Sequence, residues 1–400
     1  MTTAHLFPAI LVGCTLLAST PVSTAAEWYG SVALQSRLFD KRAGTAGQSE
    51  ALWSLAFEPT MVHEWNDGAD VFAFTPFIRV DDQDAERSQA DVRELTWIHV
   101  GENWETRVGL RKVLWGVTES THLVDVINQT DTVENVDGED KLGQPMINVS
   151  WVRDWGIVDF FVLPYFRERT FPAVDGRPRT LLPVAVDRAQ YESSDKERHI
   201  DYALRWVHSL GDWDVGLSWF KGTNRDPVLQ TGLDSNGQPA LIPLYEQMEQ
   251  FGIDLQATKG DWLWKLEIVD RDSTSAKYTA AAGGFEYTLV GIFDSVADLG
   301  VLAEYIYDER DDNAPTSLQD DILLGMRWTR NDAQSTEALI GIILDRGHNG
   351  KLLSLEASRR LGQNWKLTLE ARWFVDLPTN DPLYPNRDDD VIQLELGWYF

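Results

Sequence analysis

From residue 28 onward, apolar and polar side chains alternate over segments of about ten to fourteen residues, the period of a β-strand with one apolar face. In the last such segment Ile392, Leu394, Leu396, Trp398 and Phe400 share one face, and Gln393, Glu395 and Gly397 share the other. The segment before it sets Trp365, Leu367, Leu369, Ala371 and Trp373 against Lys366, Thr368, Glu370 and Arg372. Followed along the chain, the alternation predicts strands near 28–39, 51–65, 70–81, 90–101, 104–116, 143–153, 155–168, 198–210 and 213–222. It continues near 246–258, 261–272, 280–293, 298–309, 319–330, 335–346, 351–361, 364–375 and 390–400. The expected count is 18, with 16 as the alternative because the segments at 280–293 and 351–361 are the weakest.

Alternation alone also fits a soluble sandwich, whose two apolar faces meet in a core. The connections favour a membrane barrel. Short turns at Asn66-Asp67-Gly68, Glu102-Asn103, Asp154, Gly211-Asp212, Gly260-Asp261 and Gly362-Gln363 take turns with long polar loops. That asymmetry belongs to outer-membrane barrels, with short periplasmic turns and long extracellular loops. After residue 26 no apolar run is long enough for a membrane helix, so a spanning chain must cross with strands. Tryptophans prefer the lipid–water boundary, and eight of the 17, Trp28, Trp65, Trp104, Trp155, Trp213, Trp262, Trp365 and Trp398, fall beside a short turn or a chain end. They predict a periplasmic girdle, with Trp53, Trp115, Trp219 and Trp373 at the opposite one. The expected fold is an all-β, transmembrane, antiparallel up-and-down barrel formed by residues 27–400 as one domain.

Residues 1–26 read as a cleavable secretory leader, with an apolar run from Leu6 to Ala18 and small residues up to Ala26. Cys14 falls inside it, so the mature chain has no thiol chemistry. Every acidic and basic residue lies after the leader, giving the mature protein the full formal charge of −28. Nucleic acid would repel such a chain, whereas cations and polar solutes would not. No phosphate-cradling loop, zinc-ligand cluster or EF-hand spacing occurs, so no cofactor or metal is expected. Asp137-Gly138-Glu139-Asp140 and Asp234-Ser235-Asn236-Gly237 read as turns. The seven histidines are scattered outside G-x-S-x-G or H-E-x-x-H contexts, which argues against an enzyme. A rim-located hydrolase is the weaker rival, and a non-conducting, export or adhesion barrel the stronger one.

As an architecture the mature chain resembles the bacterial porin class, and Leu394, Leu396, Trp398 and Phe400 look like the C-terminal signal read by the barrel-assembly machinery. The resemblance implies outer-membrane localisation, contact with lipid and lipopolysaccharide, and passive diffusion of a small hydrophilic solute; a homotrimer, the state of many porins, stays open, because the apolar ring that lipid requires gives no trimer signal of its own. Barrels of this size leave an aqueous channel. In general porins the third long loop folds into the lumen. Here it runs from Val117 to Asp140 and carries Glu119, Asp125, Asp131, Glu134, Asp137, Glu139 and Asp140. Such a constriction would favour cations. Strand parity points Arg107 and Arg111 inward, where they could face the acidic loop across the eyelet, together with the possible stacking aromatics Phe161 and Tyr165. The fourth long loop, Phe171 to Lys196, reads as a surface lid or a second infolded segment.

Overall fold

The computed structural model describes residues 25–44, 47–135, 137–348, 350–381 and 383–400. The leader, apart from Ala25 and Ala26, and with it Cys14, lies outside the described residues. The strands, in chain order, are β1 (Glu27–Phe39), β2 (Ala51–Trp65), β3 (Asp70–Asp81), β4 (Gln89–Val100), β5 (Trp104–Arg111), β6 (Gln144–Arg153) and β7 (Gly156–Leu163). There follow β8 (Gln190–Tyr191), β9 (Asp201–Leu210), β10 (Trp213–Thr223), β11 (Val228–Leu233), β12 (Pro239–Tyr245), β13 (Gln247–Lys259) and β14 (Trp262–Ser273). The last are β15 (Lys277–Leu289), β16 (Asp298–Asp308), β17 (Asp320–Thr329), β18 (Glu337–Asp345), β19 (Lys351–Leu361), β20 (Trp365–Val375) and β21 (Val391–Tyr399).

Among the described residues, all of these except β8, β11 and β12 form one 18-stranded sheet in which each strand runs antiparallel to the next. The sheet closes between β1 and β21, in register from Ser31 opposite Tyr399 to Phe39 opposite Val391. Gly30 and Phe400 exchange both backbone hydrogen bonds at 3.1 Å. Closure removes the unpaired edges that an open sheet would expose. Outward residues such as Leu34, Leu55, Ile78, Leu217, Ile253, Leu324, Ile340 and Leu394 are exposed on an apolar belt, a face that needs lipid to cover it. Two-residue turns at 211–212 and 260–261 reverse the chain at one end. Each begins with a glycine at positive φ, 66° at Gly211 and 62° at Gly260, as tight hairpins require.

Several boundaries differ from those read in the sequence. β5 stops at Arg111, five residues early, because Val113 N donates to Asn128 Oδ1 at 2.8 Å instead of to a neighbouring strand. β7 stops at Leu163, before Pro164, which has no N–H to give a ladder. β15 covers 277–289, not 280–293. Trp115 does not join the outer girdle: it is buried inside the barrel, since the chain has left the wall before reaching it. An unforeseen three-stranded sheet, β11-β12-β8, stands on the long loops. Its hairpin turns at Asp234, whose Oδ1 accepts the N–H groups of Asn236 and Gln238 at 2.8 Å. Of the eight short-turn tryptophans, all but Trp65 are strongly exposed. Trp365 stands directly opposite Trp398, and the Trp151 and Trp155 rings lie 5.7 Å apart.

Candidate functional site

The third loop, residues 112–143, leaves β5 and rejoins the wall at β6, and between those points it crosses the lumen. Asn128 ties its two limbs together, donating through Nδ2 to Arg111 O at 2.9 Å and Leu142 O at 2.8 Å. On the outgoing limb the Trp115 ring meets Phe161 edge-on at 5.7 Å and lies 5.0 Å from the Arg205 guanidinium. Trp115, Val124, Val126 and Ile127 bury themselves against inward apolar residues of the wall, among them Met146, Phe161, Phe220, Val269 and Tyr278. The loop is thus seated by a dry contact in one sector of the interior, and Leu123 reaches a second inward apolar cluster formed by Leu302, Ile306, Leu323, Leu339 and Ile343.

Two wall carboxylates then capture its backbone. Glu267 on β14, fully buried, accepts hydrogen bonds from Val117 N at 2.6 Å, Thr118 N at 2.9 Å, Thr118 Oγ1 at 2.8 Å and Val124 N at 3.1 Å. Glu304 on β16 accepts from Glu119 N and Ser120 N, both at 2.8 Å. Charged acceptors make the stronger class of hydrogen bond, and here they satisfy N–H groups that a loop in a protein interior would otherwise leave unpaired.

The five acids expected at the constriction are all ion-paired. Glu119 contacts Lys265 at 3.3 Å and Arg327 at 2.8 Å. Asp125 lies 3.4 Å from Lys141 within the loop. Asp131 meets Arg93 at 2.6 Å and accepts from Thr170 Oγ1 at 2.7 Å. Glu134 meets Arg79 at 2.8 Å, while its backbone oxygen accepts from Arg37. Asp137 meets Arg372 at 2.6 Å. Burial opposes the charge of Glu134, but Arg79, Arg87 and Arg93 outweigh it and hold the carboxyl down at about 2. Burial pushes the Asp125 carboxyl up. The loop therefore reaches β14, β16 and β17 on one side and β1, β3, β4 and β20 on the other.

Arg107 and Arg111 are inward, as parity requires, but neither touches these acids. Arg107 pairs with Glu105 and donates to Asn148 and Ser150, while Arg111 donates to Asn148 at 3.3 Å. Phe161 packs beneath Trp115, and Tyr165 is exposed. Glu267 and Glu304 could be placed inward from the sequence. Their hold on loop residues 150 and 185 positions away leaves no local signal.

His122 completes the latch, with Nε2 3.4 Å from Glu139 and Nδ1 3.7 Å from Glu267. Burial disfavours its charge, but Glu139 and Glu267 prevail and push the imidazole up to about 10. A group raised in this way contributes fully below its ordinary value near 6.5, and the contribution falls away as pH rises towards 10. Channel recordings should therefore become noisier as pH is raised across that window, and His122→Asn should remove the dependence. A wild-type trace that is equally quiet at both ends would exclude the imidazole from the latch.

Above the third loop, the fourth loop (164–200) crosses the mouth. Asp84 accepts from Ala173 N at 3.0 Å, Gln48 donates to Gly176 O at 2.6 Å, and Arg177 reaches Asp389 at 2.6 Å. His99 and His199 sit 2.8 and 2.9 Å from Asp70 and Asp201, and among the described residues no Ser, Thr or Cys is hydrogen-bonded to either ring.

A closed barrel with an apolar exterior, a largely charged interior and a long loop folded into its lumen is the architecture of a membrane-spanning β-barrel. No family model and no curated protein matches the sequence. Among solved structures, the chain is similar to variants of the Rh. blastica porin, one of them the E1M, A104W mutant, at 12% identity with a TM-score of 0.44, covering 94% of this chain and 100% of that one. It is also similar to a loop L8 deletion mutant of OmpT, an outer membrane protein of Vibrio cholerae, at 12% identity with a TM-score of 0.46, covering 94% of this chain and 99% of that one.

Proposed function

We propose that the barrel is a channel for passive diffusion of small hydrophilic solutes across the outer membrane, with a preference for cations or neutral polar solutes. The observation that carries this reading is the infolded third loop, fastened to the wall on both sides by charged contacts. A loop fastened across the lumen by ion pairs to opposite sides of the wall narrows the space that a solute would cross. The charge of −28 on the mature chain favours cations in the approaches to that path. A second reading, a barrel closed at rest, draws support from the apolar cluster under the third loop and from the fourth loop over the mouth.

Purified protein in a planar bilayer separates the two. The channel reading expects stable ohmic steps and, across a salt gradient, a reversal potential of the sign given by cation preference. Absence of conductance would favour the closed barrel, and a clear anion preference would remove the cation assignment.

A further inference from the structure

The three-stranded sheet on the long loops has an open side. β12 lies between β11 and β8, so β11 is paired along one flank only. Its register with β12 runs from Val228 opposite Leu244 to Leu233 opposite Pro239, and at the hairpin end Asp234 N donates to Gln238 O at 2.8 Å. Bonded and non-bonded pairs alternate in an antiparallel ladder. Val228, Gln230 and Gly232 therefore bond to β12, and Leu229, Thr231 and Leu233 turn their N–H and C=O groups outward. The residues across from these three agree. Leu241, opposite Thr231, gives its N–H to Pro183 O and its carbonyl to Ala185 N, both at 2.9 Å, while Pro243 and Pro239 have no N–H to offer. Among the described residues no hydrogen bond reaches the backbone groups of Leu229, Thr231 or Leu233. The edge is also held firmly. Asp226, just before β11, meets Arg169 at 2.6 Å and Arg271 at 3.1 Å, and Glu192, just after β8, accepts from Gln247 N and Thr274 Oγ1 at 2.7 Å. A fixed edge loses little freedom on binding.

A free strand edge is a template for another chain, and edges that are not used are blunted with charges or prolines. From Val228 to Leu233 this edge carries neither. We infer that β11 pairs with β11 of a second copy of this chain, antiparallel about a two-fold axis through Thr231. That register brings the outward groups of both strands face to face. It sets Thr231 against the partner subunit's Thr231, a favourable cross-strand pair, and Leu229 against the partner subunit's Leu233. Asp234 falls opposite the partner subunit's Val228, so no like charges meet although the chain carries −28. Each facing pair exchanges two bonds, about six in all. A charged peptide would find no side-chain charge along β11 to meet, whereas a second copy supplies an uncharged strand of matching length. So short a strip buries less than about 1,000 Å², and it acts between copies that a membrane already holds at one height and at high local concentration. The pairing is independent of whether the barrel conducts.

Cys14 is the chain's only cysteine, so a Cys14→Ser background lets single cysteines on β11 report alone. In proteoliposomes under mild oxidation, Thr231→Cys should form a disulfide-linked dimer about threefold or more faster than Gln230→Cys. A bonded antiparallel pair holds its Cα atoms about 5.5 Å apart, within disulfide reach, whereas Gln230 and the partner subunit's Gln230 are diagonal neighbours about 7–8 Å apart. Both side chains are exposed, so random collision would link the two variants alike. Leu229→Cys mixed with Leu233→Cys should cross-link between the two variants and not within either. Adding Thr231→Lys, which sets like charges on the axis, should cut that cross-link about threefold or more. All these positions lie outside the barrel, and heat-modifiable migration checks that each variant is folded. Equal rates for Thr231→Cys and Gln230→Cys, or no dimer, overturn the self-pairing and leave the edge to an extended segment of another protein. A cross-link that Thr231→Lys leaves unchanged overturns it as well and places the contact between copies elsewhere.

Discussion

Replacing Glu267 with Ala is expected to free the third loop from the wall. One fully buried carboxylate accepts four hydrogen bonds, three from backbone N–H groups and one from Thr118 Oγ1, and it also faces His122 at 3.7 Å. Donors left unsatisfied in a protein interior cost about 1–3 kcal/mol each, and removing one member of a buried ion pair costs about 3–5 kcal/mol. The segment 117–124 can escape that penalty only by moving into the water of the lumen. Single-channel conductance should therefore rise and become noisy, while the closed barrel, held by its backbone ladders, keeps its heat-modifiable migration on gels. Glu267→Gln retains an accepting oxygen and should show a much smaller change. Unchanged conductance and noise in Glu267→Ala would mean that the apolar seat of Trp115, Val124 and Ile127 holds the loop without the carboxylate.

The wall of this barrel was legible in the sequence because each strand repeats one decision, lipid or lumen, at every second residue. At β3 and β19 the strand bounds coincide with those read from alternation, and outward Leu394 and Trp398 against inward Gln393 and Glu395 follow the same rule in β21. Departures occur where another force ends the ladder, at Asn128 for β5 and at Pro164 for β7. The interior was less legible for a physical reason. Glu119 reads as one more acid of an acidic loop, and only closure of the barrel brings it to Lys265, 146 residues away, and to Arg327. Alternation places Lys265 and Arg327 on the inner face but carries no information about which loop residue meets them. Acidity of the third loop suggested a row of free carboxylates, yet an acid in a lumen lined with arginines is driven to pair, because an unpaired buried charge is costly. What remains free is left over from that pairing, and it can be read only once the partners are known. The three-stranded cap sheet, β11-β12-β8, leaves little trace in the sequence for another reason: β8 is two residues long and joins β12 only in parallel.

Replacing Arg177 with Ala is expected to release the strap over the mouth. The side chain is buried and forks between three oxygens, donating to Asp389 Oδ1 at 2.6 Å, Lys41 O at 3.1 Å and Asp388 O at 2.6 Å, with its guanidinium 4.1 Å from the Phe39 ring. It thereby joins the fourth loop to the loops after β1 and β20. Burial already pushes the Asp389 carboxyl up, so removing the cation leaves an acid that is poorly hydrated and unpaired, a change worth about 3–5 kcal/mol. The remaining ties of the strap at this side, from Ala173 N to Asp84 and from Gln48 to Gly176 O, are single hydrogen bonds, each contributing about 0.5–1.5 kcal/mol, or more where the acceptor is charged. They are too weak together to hold the segment closed once the fork is gone. Residues 171–182, beyond Thr170 and its bond to Asp131, should then become sensitive to protease added from the long-loop side, and conductance should increase if the strap obstructs the path. Arg177→Lys keeps a charge but not the planar fork, so its cleavage rate should fall between those of wild type and Arg177→Ala. Equal cleavage in all three proteins would show that the strap is held by the cap sheet, to which Ala185 N is joined through Leu241 O at 2.9 Å, and not by the arginine.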